Sequence, residues 1–432
     1  MLPRFQLAVI LAASTFFGIC SILRAQDVGG GMVVTISGGG MASGPAVSPR
    51  RPRNPAAHRR ARSSSPATRM KPQPVATDAM EKAAVAIDHA NAERDAKRFG
   101  EAEQSYRLAS SLDPENASAQ AGLGNVYFDQ ARYSIAAEAY EKAISVDPDD
   151  AQVYANLGYS YAQLKRWNEA IKALQESVRL EPHDYWHYIY LAWAYNSLTR
   201  AAEAAEAAQK AIGLQPDEYI GHAHLSWAYL NWLKPAEATE EAKQAIRLKP
   251  EEYWPYVLLS TADNLAGRPR EALEAAQKAT SLKSDDPWAY VDLSWAYDSL
   301  GRTAEAISAA QQALHLQSDN SFAYLYLAWA YNLSTRSAEA AEAAKQAVRL
   351  NPHEPWAYLH LSWAYYTLNR YADAADAARQ GIRANPKLSW AYYWLGNSDL
   401  ALGDRAGAIE QYKVLQTLDQ NLANLLFKEI YK

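Results

Sequence analysis

The sequence predicts an all-α protein, an array of ten antiparallel helical hairpins, and three observations predict it. Prolines recur every 34 residues at Pro114, Pro148, Pro182, Pro216 and Pro250 and again at Pro352 and Pro386, with Ser284 and Ser318 on the same grid. An alanine recurs on that grid without a break, from Ala102 and Ala136 through Ala374 and Ala408. Each period also holds two helix-patterned stretches. Tyr188, Leu191, Ala192 and Tyr195 stand at i, i+3, i+4 and i+7, and after a break at Thr199-Arg200 an alanine face follows at Ala204, Ala208 and Ala211. A fixed period of this length means stacked repeats, so the 432 residues do not divide into the roughly three domains that length alone suggests.

Residues 1–25 read as a signal peptide or a membrane anchor. Met1 to Arg4 is a short basic start, Phe5 to Leu23 is uncharged and apolar, and Ala25 suits a cleavage site. The run 5–23 is also nearly long enough to span a bilayer of ~30 Å, so anchoring in the inner membrane is the alternative to an exported, periplasmic or secreted chain. Ile19 precedes Cys20, where a lipoprotein signal wants a small residue, which disfavours lipid attachment. Cys20 is the single cysteine, and this excludes an intrachain disulfide or a multi-thiolate metal site.

Residues 26–78 read as a disordered linker. Glycine clusters at Gly29 to Gly31 and Gly38 to Gly40 precede a Pro, Arg and Ser-rich run from Ser48 to Pro74, with too little apolar mass to offset the entropy of ordering it. Arg50 to Arg62 carries six arginines, a basic stretch open to contact with anionic lipid or wall polymer. Residues 1–78 hold ten Lys/Arg and two acidic residues, leaving 33 basic against 46 acidic over the rest. An acidic body argues against nucleic acid as a partner, because phosphate binding needs a basic surface.

The repeats occupy 79–422, in units of 34 counted from residue 83. Of twelve prolines beyond residue 80, seven lie at unit ends. Pro235 and Pro269 are expected in hairpin turns, and Pro255, Pro287 and Pro355 in first helical turns, where proline is tolerated. Residues 423–432 close the chain: across Asn421 to Lys432, Leu422, Leu425, Leu426 and Ile430 share one face of a solvating helix.

These residues resemble the tetratricopeptide repeat family over about 340 residues, ten units of 34. In the third unit the family positions hold Tyr154, Leu157, Gly158, Tyr161, Ala170 and Pro182; in the seventh they hold Tyr290, Leu293, Ser294, Tyr297, Ala306 and Ala313, with Ser318 at the unit end. The terminal units depart from it, with His89 and Glu93 in the first and Asp399 and Leu415 in the tenth, as expected where an end repeat exposes a face. The resemblance implies a right-handed superhelical solenoid whose concave groove is lined by the first helix of each hairpin.

That first helix carries a second, aromatic face. Trp186, Ile189 and Trp193 follow i, i+3, i+7, and the pattern returns as Trp288, Val291, Trp295 and as Trp356, Leu359, Trp363, with Trp227, Trp254, Phe322, Trp329 and Trp390 in other units. By the resemblance these ten tryptophans face the groove. Two readings stay open: a platform for an extended partner, or rings that stack on one another and fill the interior.

Basic residues recur in the hairpin turns at Arg132, Arg166, Arg200, Lys234, Arg268, Arg302, Arg336 and Arg370, and Glu169, Glu203, Glu237, Glu271, Glu305 and Glu339 follow three places on in their units. Solvated turn chemistry explains this pairing better than an anion site does. No His-Glu-x-x-His, Gly-x-Ser-x-Gly or Walker loop occurs, and His183, His187, His222 and His224 read as fillers on repeat surfaces. The sequence therefore assigns no catalytic residue, no metal ligands and no cofactor.

The expected function is that of a non-enzymatic scaffold binding a protein or peptide segment in an aromatic groove. Family analogy places it in assembly or tethering of envelope complexes. A module binding glycan or cell-wall polymer through the same Trp and Tyr surface is the alternative.

Overall fold

The computed structural model describes residues 78–432, so the signal or anchor segment, Cys20 and the linker through residue 77 lie outside the described residues. Two compact units divide at Trp232 and Leu233. The described residues form helices joined by short turns, and none of these helices is long and apolar enough to cross a membrane.

Residues 78–232 hold α1 (Asp78–Asp95), α2 (Phe99–Leu112), α3 (Ala117–Asp129), α4 (Tyr133–Val146), α5 (Ala151–Gln163), α6 (Trp167–Leu180), α7 (Tyr185–Ser197), α8 (Ala201–Leu214) and α9 (Tyr219–Asn231). Residues 233–432 hold α10 (Pro235–Leu248), α11 (Trp254–Leu265), α12 (Pro269–Leu282), α13 (Pro287–Ser299), α14 (Thr303–Leu316), α15 (Ser321–Leu333) and α16 (Ser337–Leu350). They continue with α17 (Pro355–Thr367), α18 (Tyr371–Ala384), α19 (Ser389–Ala401), α20 (Arg405–Leu418) and α21 (Gln420–Ile430). Odd-numbered helices are the first helices of the repeats and even-numbered ones the second. Within each unit, a first helix packs on its own second helix, on the second helix before it and on the neighbouring first helices.

The unbroken alanine series explains the close pairing. Every member from Ala102 to Ala408 has no solvent exposure, because a methyl group is all that fits where two helix backbones meet. On the facing helix a small residue answers it: Ser260, Ser294 and Ser362 donate from Oγ to the carbonyls of Ala272, Ala306 and Ala374 at 2.8–3.0 Å. Where glycine takes that place, as at Gly158, an added Cβ would lie 2.5 Å from Leu174.

The turns repeat as faithfully. At the end of α15, Arg336 N donates to Tyr331 O at 2.9 Å and Thr335 adopts φ 61°, the left-handed residue of a Schellman ending. The same register is left-handed at Lys97, Ala131, Lys165, Thr199 and Asn369, and glycine occupies it at Gly267, Gly301 and Gly403. First helices begin on capping side chains: Asp150, Asp286 and Asn320 each accept two backbone N–H groups of the turn that follows. Pro235 and Pro269 are the first residues of α10 and α12 rather than turn residues, since an N–H at that position has no helical acceptor to lose.

The end repeats depart from the pattern for a different reason than exposure. Glu93 and Leu415 are buried, as is Asp399. Glu93 accepts from Ser105 Oγ at 2.8 Å and pairs with His89 at 3.1 Å, and Arg379 lies 3.7 Å from Asp399. A buried carboxylate persists only with such partners, so these are internal polar contacts and not a wetted face. The last helix covers α19 and α20 with Leu422, Leu426 and Ile430.

Candidate functional site

The ten predicted tryptophans all lie on first helices, and none is exposed. Trp193, Trp227, Trp254, Trp288, Trp329 and Trp390 are buried, while Trp186, Trp295, Trp356 and Trp363 are half-buried. Their spacing brings rings of successive repeats face to face. Trp295 stacks on Tyr326 with centroids 5.4 Å apart, Trp329 on His360 at 6.2 Å and Trp363 on Trp394 at 5.7 Å, with interplanar angles of 17–18°. Within each helix the next ring lies three residues on: Tyr326 sits 6.4 Å from Trp329 and His360 the same distance from Trp363. Six rings from α13 to α19 thus form one ladder, each worth about 0.5–1.5 kcal/mol beyond its buried area for a well-placed pair.

Among residues 78–232 the contacts of Trp186 and Trp193 are edge-on or tilted. Trp193 sits 5.3 Å from Tyr159 and 5.5 Å from Trp167, and Trp186 packs on Tyr185 and Tyr190. Both readings of the aromatic rows therefore have a physical basis. The rings stack on each other between repeats, and four of them keep accessible area.

Two of the histidines expected on repeat surfaces, His187 and His224, are instead buried, and so is His360. His224 and His360 stack against indoles in the registers that tyrosine and tryptophan hold elsewhere, so they act as flat core rings. Burial pushes both imidazoles down to about 3, which keeps them neutral. His224 stacks on Trp227 of its own helix, whereas the partner of His360, Trp329, lies in the preceding repeat and is not marked by spacing within one helix.

The turn arginines do more than solvate. Arg166, Arg200, Arg302 and Arg336 pair with Glu169, Glu203, Glu305 and Glu339 at 2.6–3.0 Å, and Arg370 pairs with Asp373. Each guanidinium also lies 4.3–4.7 Å over the ring of the tyrosine five residues before it, from Tyr161 to Tyr365. Arg132 and Arg268 differ, reaching Glu103 at 3.6 Å and Asp263 at 2.5 Å. A hollow beside α10 and α12 is lined by Tyr256, Asp263, Arg268, Glu271 and Lys278, and Arg268 is already engaged there by Asp263 and Thr239.

A row of asparagines stitches successive first helices. Asn196, Asn264 and Asn332 donate from Nδ2 to the backbone carbonyls of His224, Asp292 and His360 at 3.0–3.2 Å. Asp298 takes the same register, buried, with neither oxygen hydrogen-bonded. These polar positions could have been found from the sequence by aligning the repeats on one another, since they break an otherwise mixed register with amides.

Comparison with known proteins agrees with this architecture. The tetratricopeptide repeat pattern matches residues 122–185, 166–219, 266–321, 291–355, 325–389 and 359–423. No curated protein sequence matches. A chain of the crystal structure of the APC/C hetero-tetramer Cut9–Hcn1 is similar over 81% of this chain and 76% of its own, with 15% identity and a TM-score of 0.56, which shows the fold alone. Two crystal structures of MamA share 25% identity over 40% and 38% of this chain and 93% and 95% of theirs, with TM-scores of 0.38 and 0.36. Arrays of this fold serve as protein–protein interaction scaffolds and are typically non-enzymatic. With its matches covering more than half of the sequence, the chain belongs to the tetratricopeptide repeat family.

Proposed function

We propose that the array is a non-enzymatic scaffold that captures a protein or peptide segment on the aromatic face of its first helices, in assembly or tethering of envelope complexes. One observation carries this reading: Trp186, Trp295, Trp356 and Trp363 keep accessible area while neighbouring residues hold their rings in place. A ring already fixed loses little rotamer freedom when a partner covers it, so its remaining area converts to affinity at low entropic cost. Trp186 rests on Tyr185 and Tyr190, Trp295 on Tyr326, and Trp363 on His360 and Trp394.

Affinity on such a face comes from apolar burial rather than from ion pairs. Binding should persist at high salt, where at 1 M surface charges more than about 3 Å apart are largely screened. A displayed peptide library selected on the immobilised full-length chain tests this. The reading expects selected peptides to bind at low and high salt and to lose about 2 kcal/mol or more with Trp356→Ala or Trp186→Ala, while circular dichroism stays that of the parent. Equal binding by the variants, or capture of purified wall polymer in place of any peptide, contradicts it.

Export supplies the setting, and the apolar run 5–23 followed by Ala25 supports it. Mass spectrometry of the mature amino terminus in the envelope fraction reads cleavage directly. A chain found uncleaved in the cytoplasm contradicts export.

A further inference from the structure

The junction between the third and fourth repeats differs from every other in the array. Glu181 ends α6 and Asp184 precedes α7, and a backbone bond from Asp184 N to Glu181 O at 3.3 Å closes the four-residue turn between them. His187 follows in the first turn of α7, 1% exposed. One donor atom from each of these three side chains lies within 4.8 Å of the other two.

The register shows how unusual this is. Where His187 stands, other repeats have Ala119, Ala289, Ala323, Ala357 and Ala391. Acidic residues occupy both flanking positions at only one other junction, Asp147 and Asp150, and there the third position is Val153. A buried imidazole in a place that other repeats fill with alanine, valine, glycine or proline carries a desolvation cost, and so needs polar company. The company provided is two carboxylates.

Neighbouring charge sharpens the case. Asp150, which caps α5, is pushed above the usual carboxylate range by burial, with the charges of Asp147 and Glu181 adding to the effect. Negative charge is thus concentrated around this turn. Asp184 accepts from Trp186 N at 2.8 Å through Oδ1, which orients its carboxylate at the start of α7.

We propose that Glu181, Asp184 and His187 form a divalent-cation site of the zinc class that staples α6 to α7. The donor set of one imidazole nitrogen and two carboxylate oxygens suits borderline cations such as Zn²⁺, and three protein ligands leave a fourth position for water. Bond lengths of about 2.0–2.2 Å require the three donors to draw together by side-chain rotation around a turn whose backbone is already closed. Metal binding would then lock one inter-repeat junction whose neighbours depend on packing and hydrogen bonds alone.

The test uses the untagged full chain, stripped with chelator and titrated with Zn²⁺ by calorimetry, with Co²⁺ as a spectroscopic probe of the same site. The array itself supplies variants suited to its fold: His187→Ala, Asp184→Asn and Glu181→Gln each install a residue that another repeat carries at that register. The proposal expects one equivalent of Zn²⁺ per chain, a visible Co²⁺ ligand-field band, and affinity at least about tenfold weaker in each variant with unchanged helicity. It also expects Zn²⁺ to raise the melting temperature of the parent and not of His187→Ala. No saturable binding by the parent, or equal binding by parent and His187→Ala, overturns it.

Discussion

The indole of Trp329 lies nearly parallel to the imidazole of His360, with centroids 6.2 Å apart and planes 18° from each other. These residues belong to successive first helices, so the contact is one step of a ladder that runs from Trp295 to Trp394. Asn332 crosses the same junction to reach the His360 carbonyl. A repeat array has no central core, and its stability is a sum over neighbouring repeats. Each such junction therefore counts separately.

Truncation of the buried indole should show this. Trp329→Ala is expected to cost about 3–5 kcal/mol by denaturant unfolding, because the cavity opens between two repeats that cannot close over it. His360→Phe keeps a flat ring and removes a buried Nδ1 that has no hydrogen bond, so its stability at neutral pH should stay within about 1.5 kcal/mol of the parent.

The same histidine sets an acid limit. Burial holds His360 down to about 3, below the unfolded imidazole, so the unfolded chain binds the extra proton and stability is lost as pH falls from about 6.5 toward 3. Unfolding of His360→Phe followed over that range should be less steep in pH than that of the parent. An identical slope would mean that His360 is not buried neutral.

The opposite sign applies to the carboxyls. Burial pushes Asp298 well above the usual range and Asp292 up to about 8 although Thr261 donates to it. The folded chain then holds protons that the unfolded chain has released. Their contribution is present below the ordinary carboxylate range and is lost as pH rises toward about 8. Asp298→Asn installs the amide that Asn264 and Asn332 use at this register, and should raise stability at pH 7 by about 1–3 kcal/mol while flattening that loss. A destabilised variant would show that the acid has a partner that the amide cannot replace.

Much of this was legible in the sequence because each repeat must present the same groups to the same neighbours. Ala102 through Ala408 could be placed at the helix crossings from periodicity alone, and all are fully buried. The proline grid likewise located the repeat ends. What could not be read was anything defined by two repeats at once. The pairing of Trp363 with Trp394 and the bond from Asn332 to the His360 carbonyl depend on which group of the next unit arrives opposite. The left-handed turn residue was also silent, since lysine, alanine, threonine and asparagine fill that place as well as glycine.

That turn yields a further prediction. Thr335 is β-branched and holds φ 61°, a region that its side chain disfavours, whereas Gly301 at the same register holds φ 71° without that cost. Thr335→Gly should stabilise the chain by about 1 kcal/mol in thermal unfolding, and Gly301→Thr should cost a similar amount. Equal stability across both substitutions would mean that the turn relaxes.

The most direct measurement of the account is site-specific photo-crosslinking in the native cell, with a photoreactive phenylalanine analogue replacing Trp186 or Trp356 on first helices and Glu206 or Asp376 on second helices. Capture on the first-helix face predicts discrete protein adducts from positions 186 and 356 and none from 206 and 376. Adducts of equal yield at all four positions, or no protein adduct at 186 and 356, would contradict it.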